Sequence, residues 1–408
     1  MELQKINQIL QDTAYIRTSG TAEELKCAQY LQAQCEEMGL NAKLEAFPVA
    51  MSKIEQAMLL ADGKEIPCKG YLCAGDADLE APLYYLRDLT PASLSGCKGK
   101  IVLIDGYLRY WLYRDLLENG ALGFISYSGD VHYADDDIDQ RELRAAVHQG
   151  TRIPGVNLNA KQAVELIRSD VSNVRILLKQ KETMGESHNV IAELPGETDE
   201  WIVCTAHYDS TSLSQGAYDN MSGSIGLLDI AEHFLQHPHR YGLRLIWCGS
   251  EERGLLGSKA YTATHEDELK KIVLNVNLDM IGCIMGGFIA CCTSEEKLVH
   301  YLEYLACTEG FPMKARQGVY SSDSTPFADH GVPSLTFARI APDETATIHN
   351  RYDTLAVMKA EQQRDDMIFV NSFIEKMVNA KPCPVSREIP ENMKLELDYY
   401  LFRKRKPQ

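Results

Sequence analysis

The chain is predicted to fold as an α/β protein: a mixed, largely parallel sheet sandwiched by helices, carrying a small β-rich inserted domain. Three observations predict it. From about residue 185 to 380, short apolar runs alternate with stretches of helical period, the order that builds a parallel sheet covered on both faces. Between about residues 48 and 184 the pattern changes to short strand-like runs. With 408 residues the chain is long enough for two domains. The predicted division is 1–47 and 185–383 for the main domain, 48–184 for the insert and 384–408 for a C-terminal tail.

Thr21-Ala22-Glu23-Glu24 fits a capping box, with Thr21 as N-cap and Glu24 three residues on. Leu25, Ala28, Leu31, Cys35 and Met38 follow at helical spacing, and Gly39 ends the helix. Ala42 to Phe47 alternates like a strand. Within the insert, Leu83 to Leu86, Ile101 to Ile104 and Leu122 to Tyr127 read as strands. Trp111 to Leu117 and Asn159 to Ile167 read as helices. The acidic stretch Ala134 to Asp139 reads as a solvated loop, because the Gly and later Glu of a calcium-binding loop are missing.

In the main domain Asn189 to Leu194 is a strand ending in a turn, and Trp201 to Thr205 a buried strand. Gly223 to Gln236 is a helix with Ile225, Leu228, Ala231 and Leu235 on one face. Leu243 to Cys248, Ile272 to Leu278 and Ser334 to Ala338 are further strands. Gly257 to Thr264, Glu295 to Thr308 and Gln362 to Val378 are further helices. The tail has two open destinations for Tyr399-Tyr400-Leu401-Phe402, a partner subunit or the chain's own surface. Its basic run Arg403-Lys404-Arg405-Lys406 reads as a solvated terminus.

Composition narrows the function. A hydrophobic content of 45% and charged content of 24% are those of an ordinary globular protein. A formal net charge of −17 argues against a nucleic-acid partner, since few cations are left to neutralise phosphates. No apolar stretch approaches the roughly 20 residues of a membrane span, so no membrane partner is expected. The N-terminus lacks the apolar core of an export signal. The twelve cysteines form no Cys-x-x-Cys pair, and Cys204 and Cys248 lie in apolar strands. Reduced thiols in a cytoplasmic protein are expected.

The chemistry gathers at strand ends. His207 and Asp209 close the first buried strand; Asp219, Glu251 with Glu252, Asp279 and His349 follow. In an open α/β sheet, ligands collect beyond the carboxyl ends of the strands, so residues distant in sequence converge there. Taken singly each has an ordinary explanation: a surface pair, a turn at Asp219-Asn220, acids at a helix start, a loop histidine. Asp279 is the exception, because it closes an apolar run and a buried acid is costly unless paired or metal-bound. Jointly, three carboxylates and two imidazoles suit zinc, and two metals roughly 3.5–4 Å apart need a carboxylate between them. Asp219 is assigned as that bridge, with His207 and Asp279 on one metal, and Glu252 and His349 on the other. Glu251 is then the general base, and Asp209 orients His207 or fixes its loop.

These pieces also carry a resemblance. Asn189 to Gly196, His207-Tyr208-Asp209-Ser210, Asp219-Asn220-Met221-Ser222-Gly223, Ser250 to Ser258, Asn277 to Gly282, Ser322 to Phe327 and His349 resemble the co-catalytic zinc aminopeptidases of metallopeptidase family 28. The resemblance implies the same ligand roles and two zinc ions per chain. It further implies hydrolysis of N-terminal residues from peptides with a free N-terminus. Lys98 to Ile104, Gly120 to Ile125 and Ile153 to Val156 resemble a protease-associated domain, which implies a role in restricting substrate length.

The chain departs from the pattern at Ile348, where some members carry a tyrosine that steadies the oxyanion; that role is open in this sequence, with Tyr352 or Tyr218 as candidates. Arg316 or Arg339 would serve a related carboxypeptidase or dipeptidase by meeting a carboxylate. A glutaminyl-cyclase-like enzyme and an inactive receptor-like scaffold also compete with the aminopeptidase reading. Homo-oligomer formation is left open.

Overall fold

The structure, a computed structural model, describes residues 1–407. The chain forms two compact units, residues 1–49 with 186–408 and residues 50–185. It passes between them within two long strands, Ala42–Ala61 and Asn173–Leu194.

The first unit is built on four parallel strands in the order Ser334–Ile340, Ile272–Leu278, Trp201–His207 and Gly242–Cys248. Val190 to Leu194 pairs antiparallel at one side and Gly287–Thr293 at the other; Met313–Gln317 then runs parallel to the latter. The central strands read as continuous apolar runs because both faces are covered. Along Trp201–His207, Ile202, Cys204 and Ala206 join one core with the helices Ser222–Phe234 and Ala360–Val378. Val203 joins a second core with Tyr261 and Phe327 on the opposite face. Truncating a fully buried leucine here, such as Leu278, costs about 2–5 kcal/mol.

Buried polar groups tie the strands to one another. Thr205 donates to Asn277 Oδ1 at 2.7 Å, and Asn277 Nδ2 donates to Ser322 Oγ at 2.9 Å. Unpaired, these groups would each cost about 1–3 kcal/mol; paired, they lock the strand ending in His207 against the one leading to Asp279. The helix Ser222–Phe234 packs close because it is lined with small residues. A Cβ on Gly223 would lie 2.3 Å from the carbonyl oxygen of Leu278, so the helix cannot approach that strand with any larger residue there.

The helix Glu391–Tyr400 has no counterpart in the sequence reading. Met393 and Leu397 bury against Ala328 and Ile389, and Tyr400 Oη meets Ser321 Oγ at 2.7 Å. The aromatic end of the tail thus docks on the chain's own surface. The basic run is also partly engaged: Arg403 donates two bonds of 2.6 Å to the carboxylate of Asp329. A bidentate guanidinium–carboxylate fork has better geometry than a solvated lysine pair.

The second unit has its own core around Val102, Phe124, Val156 and Ile176. The strands Ala77–Tyr85, Ile101–Leu103, Gly123–Ser128 and Gly155–Asn159 run parallel in sequence order, with Tyr110–Glu118 and Ala160–Arg168 as helices. No helix among the described residues is long and apolar enough to cross a membrane.

Candidate metal centre

His207 is the last residue of its strand and fully buried. Asp279 directly follows Ile272–Leu278, its backbone N–H bonded to Phe337 O on the neighbouring strand at 3.0 Å. Glu251 and Glu252 open a short turn after Gly242–Cys248. All four therefore sit at the carboxyl end of the parallel sheet. Asp219 comes from the turn that precedes the Ser222–Phe234 helix, and His349 from a loop in left-handed conformation.

The structure brings these side chains together. His207, Asp219 and Asp279 each place one ligand-type atom within 4.8 Å of the others, and so do Asp219, Glu252 and His349. Asp219 belongs to both groups. Its Oδ1 lies 3.1 Å from His207 Nε2 and its Oδ2 lies 3.1 Å from His349 Nε2. His349 Nε2 is also 3.1 Å from Glu252 Oε2, and His207 Nε2 is 3.8 Å from Asp279 Oδ1.

The donor set fits divalent cations. Neither nitrogen of His207 makes a hydrogen bond, and Asp279 Oδ1 is buried without one. Buried polar atoms of this kind normally have partners. The acids also crowd one another. Asp279 is pushed up to about 7, first by burial and then by the charge of Asp219. Burial, with Glu252, Asp323 and Asp279, holds Glu251 well above the usual carboxylate range against the lowering effect of His207. His207 goes the other way: burial opposes its charge, but Glu251, Asp209 and Asp219 together raise it well above the ordinary imidazole value. A pocket that concentrates buried carboxylates is one that a polycation relieves.

Asp209 lies beside His207 and also reaches a second loop. It sits 3.4 Å from His207 Nδ1 without a hydrogen bond. Its two oxygens accept from the backbone N–H of Glu251 at 2.9 Å and of Glu252 at 3.2 Å. It thereby fixes the turn carrying both glutamates. Asn220 does the same for a second pair of segments. Its Nδ2 donates to Leu278 O at 2.9 Å, and its Oδ1 accepts from Met280 N at 3.0 Å, so it clasps both neighbours of Asp279.

Three arrangements depart from expectation. The Tyr218 hydroxyl is committed to the carbonyl of Arg339 and to Ala341 N, which removes it as an oxyanion donor. Arg339 is buried, with its Nε 3.0 Å from Asp366 Oδ2 and its Nη1 2.6 Å from Gly286 O, so it has no spare donor face for a substrate carboxylate. Arg316 is exposed on the edge strand Met313–Gln317. Conversely, sequence reasoning missed Tyr320. Burial first, and then the charges of Asp279 and Asp219, push its phenol well above the ordinary tyrosine value.

Residues 189–369 match the model for peptidase family M28. That stretch is similar to peptidase family M28. Over 398 residues it is 27% identical to the aminopeptidase YwaD of Bacillus subtilis, covering 91% of this chain and 84% of that one. It is 30% identical to leucine aminopeptidase 2 of Trichophyton rubrum over 244 residues, but spans only 47% of that protein's length. Among solved structures, a zinc aminopeptidase from Bacillus subtilis superposes with a TM-score of 0.76 at 25% identity, covering 95% of this chain and 98% of that one. The M28 match encloses Asp219, Glu251, Glu252, Asp279 and His349, and begins ahead of His207.

Proposed function

We propose that this chain is a member of family M28 and a zinc aminopeptidase that uses two cations to hydrolyse the first peptide bond of peptides with a free N-terminus. The observation that carries the reading is the division of Asp219: one oxygen faces His207 and the other faces His349. His207 and Asp279 would hold one zinc ion, Glu252 and His349 the other, with Asp219 shared between them. The bound pair supplies Lewis acidity for the scissile carbonyl and the attacking water.

The remaining work falls to the chain's own side chains. Glu251 takes a proton from the attacking water and delivers it to the departing amine. Burial supports the role, because a carboxylate raised toward neutrality is a better proton acceptor than a solvated one. Tyr320 donates to the carbonyl oxygen as negative charge develops there. Asp209 keeps Glu251 and Glu252 in register through their backbone N–H groups. Arg339, engaged by Asp366, lends no support to selection of a C-terminal carboxylate. The twelve cysteines are all unpaired, which supports a reducing, cytoplasmic setting.

The test is mass spectrometry of peptide pairs, free or acetylated at the N-terminus, incubated with the zinc-loaded protein. Stepwise shortening of the free peptide alone is the expected result. Shortening of both members from the C-terminus, or of neither, would overturn the reading.

A further inference from the structure

The segment 17–24 lies outside the residues matched to the family model, yet it buries two charged side chains that no ion pair joins to each other. Burying a charge is costly unless every hydrogen-bonding group on it is used; Arg17 spends some of its donors on Thr13 O and Tyr15 O, and Glu24 one oxygen on Gly20 N, but both direct the rest to the loops of the metal centre. Arg17 Nε donates to Tyr208 O at 2.7 Å, one residue beyond His207. Its Nη2 donates to Gly216 O at 3.1 Å, three residues before Asp219. The backbone of Arg17 exchanges bonds with Ser210, N–H to Oγ at 3.0 Å and carbonyl from N–H at 3.2 Å.

Glu24 serves the third loop. Its Oε2 accepts from Gly20 N at 2.6 Å at the start of the Ala22–Glu37 helix. Its Oε1 accepts from Ser250 N at 3.0 Å, Ser250 Oγ at 3.1 Å and Ser187 Oγ at 2.8 Å. Ser250 adopts φ of 57°, an uncommon left-handed conformation for serine, and Glu251 and Glu252 follow it directly. Ser19 Oγ bonds Ser250 Oγ from the same segment.

We propose that residues 17–24 form a positioning clamp, in which Glu24 and Ser19 hold the Ser250 turn that aims Glu251 and Glu252, and Arg17 holds the segments leading to His207 and Asp219. The inference rests on the metal-centre reading given above. In this role Glu24 is a positioning residue that acts through Ser250. The helix-capping function visible in Thr21 to Glu24 is only half of its task.

The experiment compares Glu24→Gln, Ser19→Ala and Thr21→Ala with the parent chain. Thr21 caps the same helix, accepting from Glu24 N at 3.3 Å, but has no bond to Ser250. It therefore controls for loss of the cap. The readouts are kcat and KM on a free peptide, Zn2+ affinity of chelator-stripped protein, and the melting midpoint. A glutamine has one acceptor oxygen, so it cannot serve Gly20 and Ser250 from both ends. Glu24→Gln is expected to lower kcat 10- to 100-fold with KM within about threefold, and to weaken Zn2+ binding about tenfold. Thr21→Ala is expected to lower the midpoint with kcat and Zn2+ affinity near parental values.

Equal kcat and Zn2+ affinity in Glu24→Gln and Thr21→Ala would overturn the clamp. If Glu24→Gln does not fold, Ser19→Ala decides: a kcat loss of about threefold or more at an unchanged midpoint supports the clamp, and parental kcat overturns it. Glu251→Gln run alongside separates the two ideas. Retained turnover there defeats the base assignment, while the clamp is still judged on Zn2+ affinity.

Discussion

The backbone N–H of Asp219 donates to Asp353 Oδ2 at 3.2 Å, so the residue common to both candidate ligand groups is held from behind by another buried acid. Asp353 Oδ1 accepts from Tyr218 N at 2.8 Å, and Oδ2 also accepts from Ser214 Oγ at 3.0 Å. Asp353 lies four residues after His349. One carboxylate thus couples two ligand-bearing segments far apart in sequence.

Asp353→Asn turns one acceptor into a donor that faces N–H or O–H groups. A buried group left unsatisfied costs about 1–3 kcal/mol. Supporting residues of this kind typically change cation affinity or activity about 10- to 100-fold. On the proposed reading, in which Asp219 serves two zinc ions, zinc titration of stripped protein should show weakened binding of both. Parental affinity would remove Asp353 from the centre's support.

Glu251→Gln keeps the size and burial of the side chain but removes the proton acceptor. Turnover should fall by about 10²–10⁴, with two zinc ions still bound by elemental analysis. Loss of zinc in this variant would place Glu251 among the ligands instead.

The division of Asp219 makes a stoichiometric forecast. Asp279→Ala should bind one zinc ion per chain and Asp219→Ala should bind fewer than one, because only the latter touches both groups. Chelator-stripped parent protein should melt lower than loaded protein, as any cation that binds only the folded state stabilises it. Equal stoichiometry in the two variants would count against a shared carboxylate.

How much of this was legible in the chain follows from where each partner lies. His207, Glu251, Glu252 and Asp279 stand at the ends of apolar runs that declare themselves as strands, and sheet topology does the rest. The N-cap at Thr21 was visible because its partner, the backbone N–H of Glu24, is local; the reciprocal half of the expected capping box does not form, since the Glu24 carboxylate accepts from Gly20 N instead. Glu24's second partner, Ser250, is 226 residues away, and Asp353's partner Asp219 is 134 residues away. A bond from a carboxylate to a backbone N–H leaves no side-chain signature at the receiving end. The helix Glu391–Tyr400 stayed hidden for a related reason. Only Met393 and Leu397 are buried in it, a single apolar pair in a charged stretch whose docking partner, Ala328, is remote in sequence.

Gly216→Ala tests the packing between the clamp and the Asp219 turn. Gly216 has φ of 59°, and a Cβ there would lie 2.7 Å from Arg17 Nη2 and 2.7 Å from Asp219 O. An alanine is strained by its backbone conformation and by that contact, so about 2 kcal/mol or more of stability should be lost. Urea unfolding gives the figure directly. A variant as stable as the parent would show that the turn has room to yield.

The last expectation concerns pH. Glu24 is pushed up to about 7, first by burial and then by the charge of Asp209, against the lowering effect of its bonds from Gly20, Ser187 and Ser250. For an acid raised in the folded state, the native chain holds its proton where the unfolded chain has already released it. Stability therefore falls as pH rises from about 4.5 toward about 7 and is level beyond. The drop is roughly 1–3 kcal/mol for one group. Glu24→Gln carries no such proton. Its stability is offset by the lost acceptor, but the offset is constant in pH. Urea unfolding of stripped parent and variant at intervals between pH 4.5 and 8 should give a difference in stability that narrows as pH rises through this window. The expected order is a larger deficit for the variant in acid than near neutrality. A difference that stays constant would mean that Glu24 is ionised throughout, held so by its hydrogen bonds.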